Sequence, residues 1–80
     1  MKATLYTKNG CPFCVNAKTL LAIKGVEIVE YNIQTEEGKK EELMEACASI
    51  NVVPRTVPQI WLDDKYIGGF DQLKAHFDKR

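Results

Sequence analysis

Cys11-Pro12-Phe13-Cys14 falls where a short β-rich run ends and a helical one begins. Two cysteines with two residues between them can close a disulfide across the first turn of a helix. Beside a strand–helix–strand pattern, in an intracellular setting, such a pair reads as a thiol–disulfide redox motif. The rest of the chain then reads as the scaffold for that strand-to-helix junction.

The flanking segments fit this demand. Ala3 to Thr7 is β-rich and partly alternating, which predicts a strand, and Lys8-Asn9-Gly10 is turn-like. Pro12 suits the first turn of a helix, where its missing N–H costs nothing. Ala17, Leu20, Leu21 and Lys24 keep helical spacing up to Gly25, a stop signal. Val26 to Ile33 is a second β-branched run. Thr35 is the expected cap of a second helix, with Glu36 and Glu37 in its first turn. Leu43, Ala46, Cys47 and Ile50 form its predicted apolar face. Asn51 to Pro58 holds two prolines and reads as a loop. Gln59 to Leu62 and Lys65 to Ile67 read as strands joined by an Asp63-Asp64 turn, and Gly68-Gly69 ends the second. Phe70, Leu73 and Phe77 space as the buried stripe of a last helix reaching nearly to Arg80.

The expected order is β-α-β-α-β-β-α, an α/β fold with a mixed four-stranded sheet and three helices packed on it. The first two strands, joined through a helix, should be parallel with a right-handed crossover. The 80 residues suffice for one small domain spanning 1–80, with no visible linker or repeat. Eleven basic residues balance eleven acidic ones, which argues against nucleic acid or an anionic membrane as partner. No signal-peptide pattern opens the chain, and no apolar run approaches the roughly 20 residues that span a bilayer. Three cysteines, an odd number, fit a secreted disulfide scaffold poorly, so a reducing cytoplasm is the simplest compartment. Nothing requires more than a monomer.

The attacking species in disulfide exchange is the thiolate, whereas an ordinary cysteine has a pKa of about 8.5. Cys11 at the helix N-terminus meets unpaired N–H groups and the positive end of the dipole. Lys8 adds a positive charge nearby. Cys14, inside the first turn and more buried, suits the resolving role. A Cys-X-X-Cys pair is also half a zinc site, which needs four ligands. Of the other candidates, Cys47 reads as core and His76, off the last helix's apolar stripe, as surface, so no metal site is expected.

Taken together, Tyr6-Thr7-Lys8, Cys11 to Cys14, Thr56-Val57-Pro58-Gln59-Ile60 and Ile67-Gly68-Gly69-Phe70-Asp71-Gln72-Leu73 resemble the glutaredoxins, members of the thioredoxin-fold superfamily. The ending looks most like bacteriophage glutaredoxins, and residues 34–51 match least. The resemblance implies a cytoplasmic dithiol enzyme, acting in the host cytoplasm if phage-encoded. It would reduce protein disulfides and glutathione mixed disulfides with glutathione as co-substrate and no bound cofactor. Ribonucleotide reductase is a typical protein partner. The resemblance also implies a cis Val57–Pro58 bond and a glutathione site made by Lys8, Phe13, Thr56, Val57, Pro58, Gly69, Phe70, Asp71 and Gln72. Lys8 would hold the glycine-end carboxylate. Phe70, Asp71 and Gln72 would hold the γ-glutamyl end, although Asp71 is equally suited to capping the helix. An extended peptide would pair with the Val57 backbone.

Three positions depart from the common pattern: Phe13 replaces a tyrosine, Gln72 a second polar or acidic residue, and Arg55 has no clear counterpart. Two other readings keep the fold. One is a glutaredoxin-like thioredoxin recharged by a flavoprotein reductase. The other is an iron–sulfur carrier using Cys11 and glutathione, against which the second cysteine counts. A non-catalytic binding module, with an ordinary Cys11 pKa, is a third.

Overall fold

The structure, a computed structural model, describes residues 1–78. Its elements follow the expected order: β1 (Lys2–Thr7), α1 (Pro12–Ile23), β2 (Glu27–Asn32), α2 (Lys39–Ala48), β3 (Gln59–Leu62), β4 (Lys65–Gly68) and α3 (Phe70–Asp78). The predicted reach of α3 toward Arg80 lies outside the described residues. The sheet order is β2-β1-β3-β4, with β1 and β2 parallel and both other pairings antiparallel.

Central β1 is covered on both faces. Ala3 and Leu5 join Ala17, Leu21, Ile60 and Leu73 in the larger core, beneath α1 and α3. Tyr6 joins Leu43 and Cys47 in a smaller core beneath α2. β1 therefore carries apolar residues at successive positions instead of strict alternation, as a strand buried on both faces should.

Local chemistry sets the element ends. α1 stops at Gly25 (φ +72), where the Gly25 N–H donates to the Ala22 carbonyl and the Val26 N–H to the Leu21 carbonyl. That pair of bonds is a Schellman ending, closed by apolar Leu21 and Val26 in the same core. Asp63 and Asp64 both have positive φ (47° and 68°), the two-residue turn whose twist suits a hairpin.

Two expectations are corrected. α2 starts at Lys39, after left-handed Gly38, and has no side-chain cap. Thr35 is not its cap, because Asn32 captures this segment first. The Asn32 side-chain oxygen accepts from the Gln34 and Thr35 N–H groups at 2.9 and 3.2 Å, and the Glu36 carboxylate accepts from the Asn32 N–H at 2.7 Å. The first-turn acids are Glu41 and Glu42 instead of Glu36 and Glu37. Ile50 lies beyond the helix end and is 43% exposed. The chain turns back through left-handed Asn51, the Val52 N–H donates to the Cys47 carbonyl at 2.8 Å, and Val52 packs on the smaller core instead.

A polar tie joins α1 to the parallel pair. The Glu30 carboxylate accepts from the Thr7 hydroxyl at 2.7 Å and from Lys18 at 3.1 Å. The Thr7 hydrogen bond, followed by Lys18, holds the Glu30 carboxyl below its usual range. A depressed carboxylate pKa adds stability above the unfolded value of about 4.3 and loses it as pH falls through the folded one. Glu30→Gln should thus lower the stability read from urea melts modestly at pH 7, by well under about 1 kcal/mol for so exposed a pair. The gap to the parent should close as acid protonates Glu30. A pH series of urea melts checks this, and a gap constant from pH 7 down to acid would refute it.

Candidate active site

The turn ahead of the cysteines is stapled to the start of the β2–α2 connection. The Asn9 N–H donates to Gln34 Oε1 at 3.0 Å, and Asn32 Nδ2 donates to Asn9 Oδ1 at 2.9 Å. Gly10 (φ +65) then turns the chain into Cys11. Cys11 is the extended N-cap of α1, with Pro12 next in the first turn, so the proline lacks only an N–H that the helix would leave unpaired. The Cys14 N–H donates to Cys11 Sγ at 3.2 Å. A sulfur at this position receives a helix N-terminal N–H and the positive end of the α1 dipole, the surroundings that favour a thiolate.

Cys11 and Cys14 are joined in a disulfide with Cα atoms 5.2 Å apart. Cys14 is the more buried, at 2% exposure against 8%. The Val57 carbonyl oxygen lies 3.6 Å from Cys11 Sγ, within reach of a thiol proton in the reduced form. The Val57–Pro58 peptide bond is cis, as the resemblance implies.

A groove of about 530 Å³ opens beside Cys11. Lys8, Phe13, Thr56, Val57, Pro58, Gly69, Phe70, Asp71 and Gln72 all border it, so residues far apart in sequence converge on one sulfur. Cys14 does not border this groove. It faces another hollow, of about 500 Å³, with Lys18 and Glu30. The Phe13 ring is 58% exposed and lies 6.3 Å from that of Phe70, forming an apolar lip. Arg55, which the sequence left unplaced, also borders the groove. Among the described residues neither Lys8 nor Arg55 has a carboxylate partner. These two cations share the groove with the acid Asp71.

The start of α3 resolves the capping question. Gln72 Oε1 accepts from the Gly69 N–H at 3.0 Å, so Gln72 turns back on its own helix, and among the described residues no hydrogen bond engages the Asp71 side chain. A Cβ at Gly68 (φ +117) would lie 3.1 Å from the Gln72 side chain, and one at Gly69 would lie 3.5 Å from the Pro58 carbonyl. The tight approach at both glycines is to Gln72, whose Oε1 would lie 3.3 Å from a Cβ at Gly69, so they leave room for that side chain to fold back on the helix start.

Cys47 is fully buried, which pushes its thiol pKa up and keeps it neutral, and His76 is exposed. Among the described residues no group of His, Cys, Asp and Glu gathers as a metal site, and no helix is long and apolar enough to cross a membrane. Sequence reasoning missed Gln34, which holds the turn before Cys11, since nothing in its spacing marks a contact 25 residues away.

The glutaredoxin family model matches residues 3–67. Glutaredoxin 3 of Escherichia coli is 42% identical over 71 residues, covering 89% of this chain and 80% of that protein. A probable glutaredoxin of Synechocystis is 44% identical over 72 residues, and this chain spans 62% of its length. Among solved structures, glutaredoxin 1 from Francisella tularensis, complexed with cacodylate, superposes with a TM-score of 0.77 at 38% identity. That match covers 96% of this chain and 92% of the other. The four-stranded mixed sheet with its three helices is the thioredoxin-like fold of these proteins.

Proposed function

The chain belongs to the glutaredoxin family and is a dithiol thiol–disulfide oxidoreductase, and from that premise we propose that glutathione supplies its electrons and is the ligand of the Cys11 groove. The observation that carries this reading is the groove's charge pattern. Glutathione presents two carboxylates, one amine and two peptide units around its sulfur. Lys8 and Arg55 offer cations for carboxylates, Asp71 an acceptor for the amine, and the α3 start free N–H groups. The Val57 backbone offers pairing for the extended peptide.

The exchange then runs in balanced steps. The Cys11 thiolate attacks the glutathione sulfur of a protein mixed disulfide. That S–S bond breaks, the protein sulfur leaves with the electron pair and takes a proton, and Cys11 becomes bonded to glutathione. A second glutathione thiolate attacks this adduct, forming glutathione disulfide and restoring the Cys11 thiolate. For a protein disulfide, Cys11 attacks one sulfur, and the Cys14 thiolate then breaks the enzyme–substrate bond, releasing a dithiol and leaving the Cys11–Cys14 disulfide. Two glutathiones reduce that disulfide.

The same reading takes residues 1–80 as one catalytic domain acting as a monomer in a cytoplasm. The Gly68 to Leu73 ending supports a bacteriophage-type enzyme acting in its host, and ribonucleotide reductase, a typical partner of the family, is the protein target this reading takes.

Cys14→Ser tests the division of labour. It should keep removal of glutathione from mixed disulfides and lose most reduction of protein disulfides. Loss of both activities in a folded variant would refute the assignment. Asp71→Asn should raise KM for a glutathione mixed disulfide roughly three- to tenfold with kcat little changed, the scale of one lost charge-assisted hydrogen bond. An unchanged KM would remove Asp71 from the site.

A further inference from the structure

The loop that offers its backbone to the groove is held by side chains. Among the described residues, 53–58 take part in no backbone-to-backbone hydrogen bond. Besides the Val57 carbonyl facing Cys11 Sγ, their tie is Gln59, whose Nε2 donates to the Thr56 carbonyl at 2.8 Å. Gln59 opens β3 opposite Tyr6 and is only 6% exposed. Its other end is also fixed: Oε1 accepts from the Tyr66 hydroxyl at 2.6 Å. Tyr66 stands half-buried on β4, its ring 5.0 Å from that of Trp61. Burial raises its pKa, so the hydroxyl keeps the proton it donates.

This relay has one allowed direction. The Thr56 carbonyl can only accept, so the amide nitrogen must face it, and the amide oxygen must then face a donor, which Tyr66 is. The consequence reaches Val57 through peptide planarity. The Thr56 C=O and the Val57 N–H belong to one planar trans unit and point opposite ways. A bond that draws the carbonyl toward buried Gln59 therefore aims the Val57 N–H away from it. Val57 borders the groove, and among the described residues its N–H has no acceptor.

We propose that Gln59 and Tyr66 are positioning residues for disulfide exchange: by holding the Thr56 carbonyl, they aim the Val57 N–H at the peptide backbone of the substrate beside Cys11. The proposal rests on the reading that Val57 pairs with a peptide-like substrate. Substrates with a backbone should feel the relay, and disulfides without amide groups should not.

The test is single-turnover oxidation of the fully reduced protein, which needs no electron donor. The two oxidants are a glutathione–peptide mixed disulfide and 2-hydroxyethyl disulfide. Gln59→Met removes the donor at similar volume and should slow the peptide reaction about tenfold, the factor of roughly 1.4 kcal/mol for one hydrogen bond. It should change the hydroxyethyl reaction less than twofold. Tyr66→Phe, which removes one oxygen, should act in the same direction by about threefold, and it carries the test if Gln59→Met does not fold. The pH profile of Cys11 alkylation should stay in place. An equal loss on both disulfides, or no loss on the peptide, overturns the positioning role. A parent protein with no preference for the peptide disulfide overturns backbone recognition by Val57 itself.

Discussion

Cys11→Ser should lose reduction of glutathione mixed disulfides and of protein disulfides alike, by at least about a thousandfold, because a neutral hydroxyl replaces the thiolate that borders the groove. The surroundings of Cys11 are built for a sulfur anion: a Cys14 N–H at 3.2 Å, the start of α1, and the groove bordered by Lys8. A serine hydroxyl does not ionise near neutral pH, so none of this activates it. Cys14 cannot substitute, since it is the more buried sulfur and does not border the groove. The fold should survive, because Cys11 contributes a cap instead of core volume. Circular dichroism matching that of the parent, with activity at background in both assays, is the expected outcome. Residual turnover with either substrate above a few per cent would mean that another group attacks.

Leu5→Ala should have the largest effect on stability. Leu5 lies on central β1, is fully buried, and packs in the larger core beneath α1 and α3. Truncating such a leucine costs about 2–5 kcal/mol. A chain of this size has only about 4–12 kcal/mol in total. The thermal midpoint should fall by about 8 °C or more, at about 4–8 °C per kcal/mol for a small domain. Ile50→Ala is the matched control: its side chain sits beyond α2 and is 43% exposed, so the loss should stay within about 0.5 kcal/mol. Paired urea melts decide this. Equal losses would mean that Ile50 belongs to the core after all, as its helical spacing alone had suggested.

Ile50 also shows where sequence pattern stops being informative. The strands, the first and last helices and the Cys11–Cys14 junction were legible because each is signalled locally, by alternation, by helical spacing, or by proline and glycine at fixed offsets. The convergence of Lys8, Thr56, Val57, Gly69 and Asp71 on one groove was legible only through family resemblance, since their meeting depends on strand order. The start of α2 was misplaced because Thr35 and Glu36 look like a cap and a first turn, while the Asn32 side chain takes the Thr35 N–H and Glu36 binds back to Asn32. Gln72 matched a ligand-binding position, and its amide oxygen is engaged with the Gly69 N–H. Gln59 and Tyr66 left no trace of their role, because the hydrogen bond joins side chains on neighbouring strands and neither residue type demands it.

The most direct test of the account is the electron donor. The oxidised protein, with its Cys11–Cys14 disulfide, is supplied either with reduced glutathione alone or with thioredoxin reductase and NADPH alone, and the return of free thiols is followed. Rapid reduction by glutathione is expected, with a slower reaction, or none, with the reductase. Reduction by the reductase alone would leave the fold and the cysteine pair in place and contradict the assignment of the groove to glutathione.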